Sequence, residues 1–223
     1  KSIPRFEKSI ELNKNNYFAL NNLAISLKAL EKYQLSEKNY KKCIKIKPDY
    51  LTGYINFANL KEYLNEFEEA INLYSSALRL STGKTEAYIF SKLSRLYLAI
   101  GEIKRAREFA LKCLKKYPTE TNYYELFSEM IDLNKDKQFF IDMENLYHNQ
   151  NLTKSEIINL AFPLGQGYDK LKNYKKAFSF FKKGNELKKS QINFNIDDLL
   201  TLTESIKKTF LDLDHKKIKK NKS

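Results

Sequence analysis

The sequence predicts an all-α fold, an α-α superhelix of about five helix pairs. The first pair is truncated, and a further helix caps the C-terminal end. Three observations predict it. A pattern of apolar and small residues recurs every 34 residues. Within each copy the apolar residues fall at helical intervals. The 223 residues contain only 6 Gly and 4 Pro, too few for the turns of a many-stranded β architecture.

The elements follow in order. Residues 1–13, with Phe6 and Ile10, read as the second helix of a copy whose first helix is missing. In the first full copy Leu23-Ala24, Leu30, Tyr33, Ser36, Tyr40 and Cys43 carry the pattern. They recur 34 residues later as Phe57-Ala58, Leu64, Phe67, Ala70, Tyr74 and Ala77. A third copy follows at an offset of 36, with Leu93, Tyr97, Ile100-Gly101, Ile103, Ala106, Ala110 and Cys113, and Pro118 answers Pro48. Residues 119–150 keep helical spacing but lose the signature. Leu126, Phe127, Met130 and Leu133 would line one helix, and Phe140, Met143, Leu146 and Tyr147 the next. The fifth copy has Leu164-Gly165, Tyr168, Leu171, Tyr174, Ala177, Phe181 and Gly184. Small residues sit where two helices must approach closely. Large ones (Tyr33, Phe67, Tyr174, Tyr40, Tyr74, Phe181) fill the gap to the next unit, so the aromatic stripe is core. Residues 1–190 form the solenoid, 191–214 a capping or linker helix and 215–223 a basic, disordered tail. Asn195 can cap the last helix and Asp197 and Asp198 suit its first turn. Leu199, Leu202, Ile206, Phe210 and Leu213 form the stripe that should cover the last repeat.

These residues resemble the tetratricopeptide repeat, a 34-residue helix–turn–helix unit, over about residues 1–190. The resemblance implies a protein-interaction scaffold whose first helices line a concave face. On that face Asn22 in the first copy corresponds to Asn56 in the second, where Asn59 follows three residues on. Lys92 and Arg95 take those two places in the third copy. A three-residue step keeps both side chains on one helical face. Asparagine can donate and accept at once, which suits the amides of an extended peptide. Lysine and arginine would hold a carboxylate or phosphate. The arrangement is similar to the asparagine ladder of O-linked N-acetylglucosamine transferase. Asn56 and Lys92 match the carboxylate clamp of co-chaperone repeats. Asn21, Ile25 and Tyr88, however, stand where that clamp expects Lys, Asn and Lys, so the clamp is rejected. The fifth copy and the helix after it also resemble the last repeat of bacterial tetratricopeptide–sulfotransferase proteins. Phe162, Leu164, Gly165, Asp169, Leu171, Tyr174, Ala177, Phe178, Asn185 and Leu187 carry that likeness. Gln166 replaces the family's lysine. The likeness implies a catalytic domain beyond residue 223, to which no residue here contributes; a generic repeat is the alternative.

Other classes are disfavoured. The formal charge of +13 gathers at the two ends while 51–150 is close to neutral. Nucleic-acid binding would want it on one face among stacking aromatics. No run approaches the ~18 apolar residues of a membrane span. Only two histidines and two cysteines are present, so neither a metal site nor a Cys–His nucleophile is expected. No cofactor is expected either. Cys43 and Cys113 share one repeat position and pack separately, which suits a reducing, cytoplasmic setting. The chain opens on Lys1 inside a helical pattern and reads as a piece of a longer protein.

"LSTGKTEA" at 80–87 ends in Gly-Lys-Thr, as a phosphate-binding loop does. That loop also needs a glycine five residues earlier and a preceding strand. Leu78 stands there instead, in a helical pattern, and Thr82-Gly83 reads as a helix stop with a left-handed glycine. Millimolar ATP is therefore expected to leave the melting temperature unchanged. A concentration-dependent rise that Lys84→Ala abolishes would contradict the turn.

Overall fold

A computed structural model of the chain describes residues 2–128, 130, 132–133, 135–149, 151–191 and 196–220. Of residues 197, 198 and 211–220 it describes the backbone alone. All regular structure in them is helical. A single helix, α1 (Ile3–Leu12), precedes three regular pairs: α2 (Tyr17–Ala29) with α3 (Tyr33–Ile46), α4 (Leu51–Tyr63) with α5 (Phe67–Leu80), and α6 (Gly83–Ala99) with α7 (Ile103–Lys116). The fourth unit comprises a 3₁₀ turn at Thr121–Tyr123, a short α8 (Tyr124–Ser128) and α9 (Lys137–Tyr147). The fifth pairs α10 (Lys154–Lys170) with α11 (Tyr174–Gln191), and α12 (Ile196–Lys220) follows.

Each regular hairpin turns through one left-handed residue. Glu31, Asn65 and Lys172 all have φ 59°, and Gly101 has φ 80°. The next residue's N–H reaches back five positions: Lys32 to the Leu27 carbonyl, Glu66 to Lys61, Glu102 to Tyr97 and Asn173 to Tyr168. This is the Schellman closure, which satisfies the last helical carbonyls. Only one of the four turns uses glycine, so composition alone does not reveal them.

Burial follows the repeat. Ala24, Ala58, Ser94 and Gly165 stand at the close approach of first and second helices, all buried. A Cβ on Gly165 would lie 2.6 Å from the Phe181 ring. Serine at this approach ties the two helices. Ser36 donates to the Ala24 carbonyl in the first pair, and Ser94 to the Ala106 carbonyl in the third, both at 2.7 Å. Tyr40 stacks on Phe57 of the next unit with ring centres 5.6 Å apart. Cys43 and Cys113 are free thiols, fully buried as their shared position requires. Burial pushes their ionisation up to about 11 and about 12.

Several expectations need correction. Gly83 is left-handed, with φ 60°, but it opens α6 rather than ending α5. Lys84 is 89% exposed beside Glu120. In the fourth unit the first helix stops at Ser128 instead of running through Met130 and Leu133. The Asp132 N–H that would continue it binds the Asp136 carboxylate at 2.9 Å, and Lys170 Nζ takes the Ser128 carbonyl at 3.0 Å. Met130 and Leu133 still pack on the core. Tyr174 fills no gap: with Leu171 and Phe178 it is 51–68% exposed on the end face of the last unit. The stripe Leu199, Leu202, Ile206 and Phe210 is 47–67% exposed, so α12 forms as a helix without covering that end. Its backbone stays helical to Lys220, through most of the expected tail. The Asn195 cap lies outside the described residues, and so do the side chains of Asp197, Asp198 and Leu213.

The turns make a direct prediction. No atom lies within 4 Å of a Cβ built on Gly101, so Gly101→Ala costs only the left-handed conformation, about 1 kcal/mol. Glu31→Gly and Lys172→Gly relieve that strain but loosen the unfolded chain, for a net gain of roughly 0.5 kcal/mol each. Urea denaturation measures both, and a neutral Gly101→Ala would contradict the assignment.

Candidate functional site: the concave groove

The first helices α2, α4 and α6 bring their polar stripes together over an open groove of about 580 Å³. Asn56, Asn59 and Lys92 line it, with Ile25, Lys28, Tyr40, Glu62 and Tyr63. Asn22 stands half-buried on the same stripe of α2. Its carboxamide oxygen lies 3.4 Å from Asn21 Nδ2. Asn21, itself buried, accepts from Asn56 Nδ2 at 3.0 Å. The three asparagines thus form a chain across two units.

Asn59 is the best-defined member. Its Oδ1 accepts from Tyr74 at 2.6 Å and from Tyr88 at 3.2 Å. Burial drives the Tyr74 hydroxyl well above its ordinary ionisation, with Tyr88 and Glu62 adding to the shift, so it remains a neutral donor. With the oxygen occupied twice, the side chain has only its NH₂ to offer. Among the described residues that NH₂ meets no protein acceptor, and no polar side-chain atom there is both buried and unpaired. It is therefore open to solvent in the groove. Lys28 Nζ caps the Asn59 main-chain carbonyl at 3.4 Å and sits 5.0 Å over the Tyr63 ring.

The two cations expected to meet an acidic group differ. Lys92 is held by both carboxylate oxygens of Glu62, at 3.0 and 2.9 Å. Arg95 is exposed and joins no ion pair among the described residues. Sequence reasoning missed Glu62, Lys28 and Tyr63, and met Ile25 only as a departure from the carboxylate clamp. The signal existed: Lys28 and Glu62 are 34 residues apart and lie six residues beyond Asn22 and Asn56, so the register needed only to be carried further.

It also missed a buried lysine behind the groove. Lys61 is 2% exposed and bonds Glu37, Glu66 and Glu69 at 2.9, 2.5 and 2.9 Å. Its counterparts in the neighbouring copies are Leu27 and Tyr97. Burial alone would lower its ionisation, but the bonds from Glu66, Glu69 and Glu37 outweigh it and hold the ammonium above its ordinary value. Burial would likewise raise the Glu37 carboxyl, yet Lys41 and Lys61 keep it below its ordinary value.

Comparison with known proteins fixes the family. A family model described as "Tetratricopeptide repeat" matches residues 5–197. The chain belongs to the tetratricopeptide repeat family. Among curated proteins it is 35% identical to "Protein STIP1 homolog" of Dictyostelium discoideum over 75 residues, 34% of this chain and 13% of that protein. It is 30% identical to "Tetratricopeptide repeat protein 37" of Xenopus laevis over 140 residues, 55% of this chain and 9% of that one. The matches thus span about a tenth of the length of these relatives. Solved structures share the fold. BtubC of P. vanneervenii superposes with a TM-score of 0.64 at 13% identity, covering 87% of this chain and 89% of that one. YrrB does so at 0.60 and 17%, covering 82% and 91%.

A pH dependence follows from the Lys61 cluster. The Glu37 carboxyl is depressed, so its contribution is present above the ordinary carboxylate pKa of about 4.3 and is lost as pH falls through the lower folded value. Lys61→Ala is expected to cost about 3 kcal/mol at pH 7, because the carboxylates lose their buried partner. The gap between wild type and Glu37→Gln should shrink from pH 5 to pH 3 in thermal melts. A gap that widened with acid would reverse the assigned sign.

Proposed function

We propose that this chain is a non-catalytic scaffold that holds an extended peptide, or an extended segment of a partner protein, on its concave face. The observation that carries this reading is the Asn59 carboxamide. Tyr74 and Tyr88 fix it, and its only free capacity is a solvent-facing donor, suited to a peptide carbonyl. Asn22 and Asn56 add further amide groups along the same line. Arg95, exposed on α6, would be the cation for a carboxylate on the ligand, while Lys92 becomes available only to an acid that competes with Glu62. YrrB, whose fold this chain shares, is described as a tetratricopeptide repeat protein with an unusual peptide-binding site. Two buried thiols in one fold suit a cytoplasmic setting. The end face of the last unit and the α12 stripe are both apolar and uncovered, which supports α12 as a linker helix rather than a cap. A role as the recruiting arm of a sulfotransferase rests on fifth-unit residues such as Leu164, Gly165 and Ala177, whose burial the solenoid itself explains.

Asn59→Asp tests the reading. It preserves the acceptor for both tyrosines and removes the donor. In a peptide-library selection the wild-type chain is expected to enrich extended peptides that the variant binds about fivefold more weakly, close to 1 kcal/mol, with the melting temperature little changed. Equal enrichment by both proteins would place binding elsewhere.

A further inference from the structure

We propose that the cleft between α7 and α9 is a second binding groove, which takes a partner segment carrying an apolar side chain next to carboxylates. It lies on the side of the second helices and does not depend on the concave site.

The cleft exists because the fourth unit is irregular. With α8 ended at Ser128, α7 and α9 flank an opening of about 590 Å³. Leu114 and Tyr124, 0% and 2% exposed, form its floor. Leu111, Pro118 and Phe139 form apolar walls. The repeat register shows that one of these walls is special to this unit. The outward position of Leu111 is Lys41 in the first pair and Ser75 in the second, residues suited to water. A leucine there, half-buried at the mouth of a cleft, offers carbon surface where its sister units offer none.

The rim selects charge. Its acids are already engaged. Asp136, 6% exposed, accepts from Arg107 and from the Asp132 N–H, and Asp142 accepts from Gln138 at 2.9 Å. Its lysines are less committed. Lys115 is exposed and joins no ion pair among the described residues. Lys135, 77% exposed, meets only Asp132 among the described acids, at 3.3 Å. An exposed pair of that kind is weak and easily exchanged for a ligand carboxylate. A leucine or phenylalanine side chain seated on Leu111, Pro118 and Phe139 would thus bring a neighbouring aspartate or glutamate within reach of Lys115 and Lys135.

Two amidated peptides labelled with fluorescein, GSEFLEGS and GSKFLKGS, test this by fluorescence anisotropy on the whole chain. The acidic peptide should bind wild type and weaken as salt rises. The double change Lys115→Glu with Lys135→Glu alters only exposed side chains. It should weaken the acidic peptide about fivefold or more and favour the lysine peptide, with unchanged circular dichroism. Leu111→Gln should weaken both pairings, and Asn59→Asp should change neither. No binding of the acidic peptide at millimolar concentration would overturn the proposal. Equal binding to the charge-reversed variant would do the same, as would a loss on Asn59→Asp in place of the rim changes.

Discussion

A helix pair of this kind has two apolar faces and can bury only one of them against itself. Everything else in the structure depends on the stacking that buries the second. Tyr40 leaves its own unit to stack on Phe57 of the next, and Phe140 meets Tyr168 of the next unit edge-on, with ring centres 5.1 Å apart. Such contacts need close backbones, which is why alanine, serine or glycine occupies positions 24, 58, 94 and 165. A larger side chain at these places would separate the helices and expose the aromatic contacts together, because a close-packed interior has little free volume to yield. Stacking also aligns the stripes of the first helices, so that polar residues 34 or 36 positions apart face one groove. The polar groove is thus a by-product of the same register that makes the core.

Apolar contacts set the distance between units, whereas buried polar groups help to set their rotation. Lys61 reaches Glu37 of the preceding unit as well as Glu66 and Glu69 of its own. Only one relative placement of α3, α4 and α5 satisfies all of these bonds. A leucine, as at position 27, would fill the space without that directional demand. The Tyr74–Asn59–Tyr88 bonds act similarly between α4, α5 and α6, and they do so at the groove floor. A ligand in the proposed site would meet a donor already oriented by core residues, and would spend less conformational entropy on ordering it.

The regular units were legible in the sequence because their information is local and repeated. Offsets of 34 and 36 were enough to place Ala24, Ala58, Tyr40, Tyr74 and both cysteines. The fourth unit was less legible because its outcome depends on polar competition over long distances. Asp136 captures the N–H that helix propagation needs, and Lys170, from the next unit, caps Ser128. Neither event leaves a trace in the apolar periodicity. The exposed stripe of α12 was misjudged for another reason: amphipathicity says that a helix has a partner face but not where the partner is. Of the residues expected on the concave face, Asn56, Asn59 and Lys92 line the groove. The pairing of Lys92 with Glu62 required the third dimension.

What the Asn59 carboxamide does when ligand arrives decides whether the groove is the binding site. Its side-chain NH₂ resonances can be followed by ¹⁵N-correlated NMR while a peptide selected by the wild-type chain is added. A downfield shift of those two resonances, saturating with the same affinity as the backbone amides of α2, α4 and α6, is the predicted result. Saturating binding that leaves the Asn59 NH₂ unshifted would contradict the groove as the binding site.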